Sequence, residues 1–265
     1  MATYTHGYHE SVLRSHRTRT AANSAAHLLP LLTPTDHLLD VGAGAGTITA
    51  DLARLVARVT ATEIGPDELA LTEATLLDAG VDNVTLDTAD IHALPYDDAT
   101  FDVTHAHQVL QHVADPVQAL RELARVTKPG GVVAVRDSDY AGFCWWPALP
   151  PLDSWLRLYR SLARRNGGEP DAGRRLLSWA HQAGLSDAVA TSSTWCYATP
   201  SEREWWGGMW ADRILSSAIH RQLIDGGLAT DAELQEISDA WRAWASAEDG
   251  WISILHGELI YRIPE

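Results

Sequence analysis

Several things are scarce in this chain of 265 residues. It has only two cysteines, Cys144 and Cys196, and no CxxC pair, too few for a disulfide framework or a multi-thiol metal site. No apolar run approaches the roughly 18–20 residues that cross a bilayer. Residues Met1 to His6 lack the basic-then-apolar pattern of a secretory signal, so cytoplasmic residence is the expectation. Lys128 is the only lysine, which reads as a composition bias rather than chemistry. Positive charge is scarce overall, with 20 Lys and Arg against 35 Asp and Glu and a net charge of −15. Such a chain offers nucleic-acid phosphates a poor landing surface, and the short cluster Arg14, Arg17 and Arg19 does not make up for it. Tryptophan is absent before residue 145, although the chain has 11.

What is present is enough apolar residue, 46%, to exclude disorder and to fill one large or two small domains. Short apolar runs at His37–Val41, Arg58–Thr62, Val84–Thr88, Phe101–Ala106 and Val132–Arg136 alternate with helical patterns of about a dozen residues. That alternation predicts βαβ units and a parallel sheet. Asp115-Pro116 reads as an N-cap followed by Pro at the first helical position, and Lys128-Pro129-Gly130-Gly131 as the stop. Ser11 to Leu32 reads as one N-terminal helix. Beyond residue 140, helices are expected at Asp153–Arg165 and at Ser201–Ile219, the latter opened by a capping box Ser201-x-x-Glu204. A further helix opens at Thr230-x-x-Glu233. Ala188–Tyr197 and Ile252–Ile263 read as late strands. The organisation expected is a helical cap over 1–36, a sheet core over 37–140, a helical lid formed by 141–187 and 198–250, and closing strands at 188–197 and 251–265.

The most informative stretch is Asp40-Val41-Gly42-Ala43-Gly44-Ala45-Gly46-Thr47, where a strand runs into alternate glycines and then a helix over Ile48–Val56. Such a loop lets a ligand lie against the main chain, with the helix start offering free N–H groups. A dinucleotide asks for G-x-G-x-x-G, but Thr47 stands where its third glycine belongs. Asp40 beside the loop would repel a pyrophosphate; it suits ordering the loop or meeting a cation. Glu63, ending the second strand, can accept hydrogen bonds from both ribose hydroxyls. Asp90 with Ile91, after the third strand, suits the amino edge and face of adenine. Together these describe a site for an adenosine without phosphates.

Asp40-x-Gly42-x-Gly44-x-Gly46, Glu63, Asp90, the stretch from Phe101-Asp102-Val103 to Val109-Leu110-Gln111-His112-Val113, and Lys128-Pro129-Gly130-Gly131 resemble the class I S-adenosylmethionine-dependent methyltransferases over Leu38–Asp137. Within them the resemblance is to the branch holding the quinone-biosynthesis and many small-molecule methyltransferases. It implies an α/β fold, a Rossmann-like doubly wound sheet of seven strands with the last antiparallel, here with an N-terminal helix and inserted helical lid. It implies S-adenosylmethionine as cofactor, with Glu63 on the ribose, Asp90 and Ile91 on the adenine, and Gly42 and Gly44 beside the methionine part. Asp40, Ala43, Gly46 and Ile64 complete the expected contacts, and by alignment His107 and Gln108 face the methionine. Charge complementarity offers Arg17, Arg19 or His16 to its carboxylate.

The acceptor side is less patterned. Asp139, Tyr140 and His107 follow the fifth and fourth strands and are the candidates for a general base. Tyr140, Trp145 and Trp146, in the loop that starts over the carboxyl ends of the strands, are candidates for an acceptor pocket, which Tyr8 and His9 would help to close. Trp205, Trp206 and Trp210 share a helix face and read as core with Trp241 and Trp244. His105, His107 and His112 lack a nearby acidic third ligand, so no metal is expected. The expected activity is methyl transfer to a small molecule by in-line displacement, in a monomer or homodimer binding neither nucleic acid nor membrane. Set against it are a cofactor-binding cyclase or effector module that does not methylate, a tRNA or protein methyltransferase, and a dehydrogenase.

Overall fold

The computed structural model describes residues 18–265. Five parallel strands, β1 (His37–Val41), β2 (Arg58–Glu63), β3 (Val84–Thr88), β4 (Phe101–His107) and β5 (Thr127–Ser138), form one sheet. Their lateral order is β3-β2-β1-β4-β5. Next comes β8 (Trp251–Arg262), antiparallel to β5, and beyond it β7 (Val189–Tyr197). The seven expected strands are all there. An eighth, β6 (Cys144–Trp146), pairs with the start of β8 after the chain leaves β5. Chain order reverses between β1 and β4, which opens a crevice at the carboxyl ends of those two strands.

Helices cover both faces of the sheet. On one side α1 (Ala21–Ser24) and α2 (Thr47–Ala53) bury Ala21, Ile48 and Leu52 against Leu38, Val59 and Ala134. On the other, α4 (Pro116–Val126) and α6 (Leu176–Ala183) bury Leu120, Leu123, Leu176 and Ala180 against Val133, Val135 and Leu259. Between β2 and β3 runs α3 (Pro66–Asp78). A third core lies apart, built by α5 (Pro150–Arg165), α7 (Pro200–Ser216), α8 (Ala218–Asp225) and α9 (Asp231–Ser246). At its centre Trp155 meets Trp210 and Trp241 edge to face, with ring centroids 4.7 and 4.9 Å apart. Each such pair adds about 0.5–1.5 kcal/mol beyond area burial. Gly207 lets α7 lie against α9, since a Cβ there would come within 2.7 Å of the Trp241 carbonyl.

Four local expectations need correction. Within the described residues, the N-terminal stretch is not one helix. Thr20 and Asn23 cap the four-residue α1, Ala25 leaves helical geometry, and a 3-10 turn with Pro30 in it follows at Leu29–Leu31. The expected helix at Ser201–Ile219 breaks at Ser217, whose hydroxyl accepts from Ile219 N–H and starts α8. Its capping box uses Thr199 and Glu202 rather than Ser201 and Glu204, because Pro200 is best placed at the first helical position. Finally, the segment expected as lid at 141–187 divides: α5 joins the third core, while α6 packs on the sheet beside α4. No described helix is long and apolar enough to cross a membrane.

Candidate functional site

The glycine loop leaves β1 in the crevice. Gly42 and Ala43 donate their N–H groups to the Thr62 carbonyl, tying the loop to β2. Gly46 takes φ +76° as the N-cap of α2, and a Cβ there would press to 3.0 Å from Thr72 Cα on α3. Gly44 differs: its φ is +58°, and nothing but the Gly42 carbonyl, at 4.0 Å, faces the missing Cβ. The third glycine therefore serves helix packing, and the second leaves an open cradle.

Asp40 lies beneath the loop with both carboxylate oxygens engaged. Oδ1 accepts from His105 Nδ1 at 2.8 Å and Oδ2 from Thr49 Oγ1 at 2.6 Å. These bonds tie the end of β1 to β4 and to α2. Glu63 reaches back so that Gly44 N–H donates to Oε1 at 2.6 Å. Burial pushes its carboxyl above the usual range, opposed by the Gly44 and Ile64 N–H groups and reinforced by Glu68 and Asp40. Asp90 accepts from His92 backbone N–H and ring Nδ1, and these bonds hold its carboxyl below the usual range. This end of the crevice is strongly anionic.

Past β4, Gln108 sits at φ +55°, a left-handed conformation costly for a side chain other than glycine. Its amide is held from two sides. Arg19 Nη2 donates to Oε1 at 2.8 Å, and Nε2 lies 2.9 Å from His256 Nε2. His256 Nδ1 is 3.0 Å from the Ile254 carbonyl and so carries the proton, which leaves Nε2 to accept from Gln108. Burial, reinforced by Arg136 and Arg19, keeps His256 neutral. His107 is also held well below the ordinary imidazole range, by burial first and then by Arg19, Arg136 and His256. Neither of its ring nitrogens has a partner among the described residues.

These groups share one cavity of about 310 Å³. Asp40, Gly42, Ala43, Gly44, Glu63, Ile64, Asp90 and Ile91 line one end, while His107 and Gln108 lie between the ends. Gly46 does not line it. Tyr140, Phe143, Trp195, Tyr197, Trp205, Trp206, Trp210 and Ile254 line the other end, with Arg19 and Arg213. Tyr140 is buried, stacked on Phe143 and Tyr159 with ring centroids 4.4 and 4.1 Å apart, and its phenol is pushed up by burial. Asp139 is not part of the lining. It is buried in a salt bridge in which Arg174 donates from Nε and backbone N to Oδ2, at 2.7 and 2.9 Å, and from Nη2 to Oδ1 at 2.6 Å. Trp145 and Trp146 are also elsewhere. Pairing of β6 with β8 carries them off, Trp145 edge-on to Trp155 and Trp146 exposed with its Nε1 donating to Asp249. Tyr8, His9 and Arg17 lie outside the described residues.

Of the aromatic end, Tyr140 is the one residue that the sequence offers as an acceptor contact. Trp206 and Trp210 belong to the third core, as expected, but also face the cavity, and Arg213 continues their stripe three residues on. Trp195 and Tyr197 share a face of β7 by strand alternation, the one signal that marked them.

A mostly parallel sheet with a glycine loop over its switch point and an acidic second-strand end makes a Rossmann-like α/β fold. A family model described as a methyltransferase domain matches residues 39–135. An uncharacterized methyltransferase of Schizosaccharomyces pombe is 33% identical over 275 aligned residues, covering 99% of this chain and 97% of that protein. The chain belongs to the class I S-adenosylmethionine-dependent methyltransferase family. Likeness to the quinone branch is partial: the ubiquinone/menaquinone biosynthesis C-methyltransferase of Bdellovibrio bacteriovorus is 36% identical over 102 residues, 38% of this chain and 43% of that one. A crystal structure of a methyltransferase-like protein from Bacillus halodurans shares the fold with TM-score 0.58 and 19% identity, over 91% of this chain and 98% of that one.

Proposed function

We infer that the cavity takes S-adenosylmethionine at its glycine-loop end and a small-molecule methyl acceptor at its aromatic end. The observation that carries this is the continuity of the two ends in one cavity. The residues fit the cofactor. The open face at Gly44 admits a ligand against the main chain, Glu63 has a carboxylate there for ribose hydroxyls, and Ile91 offers adenine an apolar face. Asp40, Glu63 and Glu68 stand where a pyrophosphate would meet like charge, which favours a phosphate-free nucleoside over a dinucleotide. Arg19, beside Gln108, is the cation in reach of the methionine carboxylate.

When bound, the cofactor supplies a methyl carbon on a sulfonium, already activated toward a nucleophile. What is left to this chain is orientation and dryness. Holding two reactants in line is worth about 7–11 kcal/mol of barrier. The α5, α7, α8 and α9 layer, whose aromatic residues wall one end, acts as the lid that excludes water. The acidic charge of the chain favours a small acceptor over RNA. Calorimetry with S-adenosylmethionine and with NAD tests the reading. The first is expected to bind, and Glu63→Ala to weaken it by about 1–3 kcal/mol through lost hydrogen bonds. Tighter binding of NAD, or unchanged affinity in the variant, refutes the assignment.

A further inference from the structure

Gln108 stands where the two ends of the cavity meet, in a backbone conformation that only its surroundings can hold. Its N–H donates to the Arg136 carbonyl at 2.7 Å, and its side-chain amide is one link of a longer hydrogen-bonded chain. That chain runs from the Ile254 carbonyl through the His256 ring and the Gln108 amide to the Arg19 guanidinium. Its two termini are chemical opposites, since a carbonyl oxygen only accepts and a guanidinium only donates. The chain therefore has a single direction. His256 keeps its proton on Nδ1 and accepts at Nε2, while Gln108 turns its N–H₂ to His256 and its Oε1 to Arg19. Reversing the ring tautomer or the amide would set N–H against N–H.

His256 is 0% exposed and is not part of the cavity lining, so it reaches a ligand only through Gln108. Its ring packs 4.4 Å from the Trp195 ring, a contact that any side chain of similar bulk could make. The acceptor nitrogen facing Gln108 is what bulk alone does not supply. The amide it orients matters because Arg19, the cation in reach of the methionine carboxylate, has one nitrogen held by Gln108 Oε1. An amide free to turn over would present N–H₂ to the guanidinium and release that hold.

We propose that His256 is a positioning residue for S-adenosylmethionine: by accepting from Gln108 it fixes which face of the amide meets Arg19, and so places the guanidinium for the amino-acid part of the cofactor. This rests on the methyltransferase reading above. The nucleoside part is met by other residues at the glycine loop, Glu63 and Ile91 among them. His256 therefore governs one portion of the ligand and not the other. The role is one of geometry, and no proton moves along the chain.

The test uses the whole protein and calorimetry with two probes, S-adenosylhomocysteine and 5′-methylthioadenosine. The second keeps the nucleoside and the thioether but has no amino or carboxyl group. His256→Leu is expected to weaken S-adenosylhomocysteine by about tenfold or more, the scale of one hydrogen bond to a charged group, and to leave methylthioadenosine within about twofold. His256→Gln, whose amide oxygen can accept near the place of Nε2, recovers most of the loss. Gln108→Leu gives the same selective loss, and adding His256→Leu to it costs nothing further. An unchanged affinity in folded His256→Leu overturns the proposal, as does equal weakening of both probes, which is what a packing role predicts. So do a Gln variant no better than Leu and additive losses in the double variant. Nitrogen-15 spectra of the parent need no variant: Nδ1 of His256 is expected to be protonated and Nε2 bare, and the opposite tautomer overturns the claim whatever the variants do. Failure of both probes to bind the parent would refute the underlying reading. Equal binding of the two by the parent would leave the nucleoside site standing and overturn only the role given to His256.

Discussion

Asp139→Asn separates a catalytic carboxylate from a structural one. By position after β5 this residue resembles a general base, yet its oxygens receive three N–H donors from Arg174 and it is buried. Asparagine keeps the shape and one acceptor, but turns an amide N–H₂ toward the guanidinium. Hydrogen bonds to charged groups contribute roughly 1.5–3 kcal/mol each. Arg174 is 54% exposed, so solvent screening reduces its share. A net loss of about 2 kcal/mol follows, which for a chain of this size lowers Tm by about 4–8 °C. The assay is thermal unfolding alongside calorimetry with S-adenosylhomocysteine and kcat for an acceptor that turns over. Affinity and kcat are expected to stay within about twofold of the parent below the melting range. An unchanged Tm with a tenfold fall in kcat would show that the carboxylate reaches the acceptor, and the structural assignment would be wrong.

The loop glycines make a contrasting pair. Gly46→Ala combines left-handed strain with pressure on the Thr72 backbone and should cost roughly 2–4 kcal/mol in urea unfolding. Gly44→Ala should cost only the strain, about 1–2 kcal/mol, while weakening cofactor binding; equal stability losses would contradict the packing difference. Asp137 supplies a pH prediction. Burial lifts its carboxyl to about 7, so the folded state holds a proton that the unfolded chain releases near 4. The stabilisation from that proton is complete below pH 4 and is lost as pH rises through 7. Asp137→Asn should therefore gain stability relative to the parent progressively from pH 4 to 7, and a pH-independent difference in denaturant unfolding would contradict the burial argument.

The strands and the residues that line the glycine-loop end of the cavity were the legible parts, for physical reasons. β1 is buried over Leu38–Val41, and β3, half-buried at an edge of the sheet, alternates Val84 and Leu86 with Thr85 and Asp87, so both could be bounded to the residue. The residues from Asp40 to Asp90 follow strand ends in fixed order, which makes their convergence a consequence of topology. The acceptor end follows no such rule. Trp145 and Trp146 begin where ligands bind, but backbone pairing with β8 outweighs position and takes them away. Trp206 and Trp210 looked like core because they are core; that one face of the same rings also bounds a cavity depends on how α7 settles against β7. The break at Ser217 turned on a single hydroxyl competing with the helix for an N–H group, which periodicity does not register.

The cavity takes walls from Arg19, from the loop after β1, from β7 and α7, and from Ile254 on the last strand. Its lining runs from Arg19 to Ile254, so no single element closes it. A ligand that fills both ends consequently rewards the completed fold, and its binding energy is spread over elements more than two hundred residues apart in sequence. A growing polypeptide emerging from the ribosome would carry the residues of the glycine-loop end long before it could close the aromatic end, which waits for the final strand to insert between the fifth and seventh.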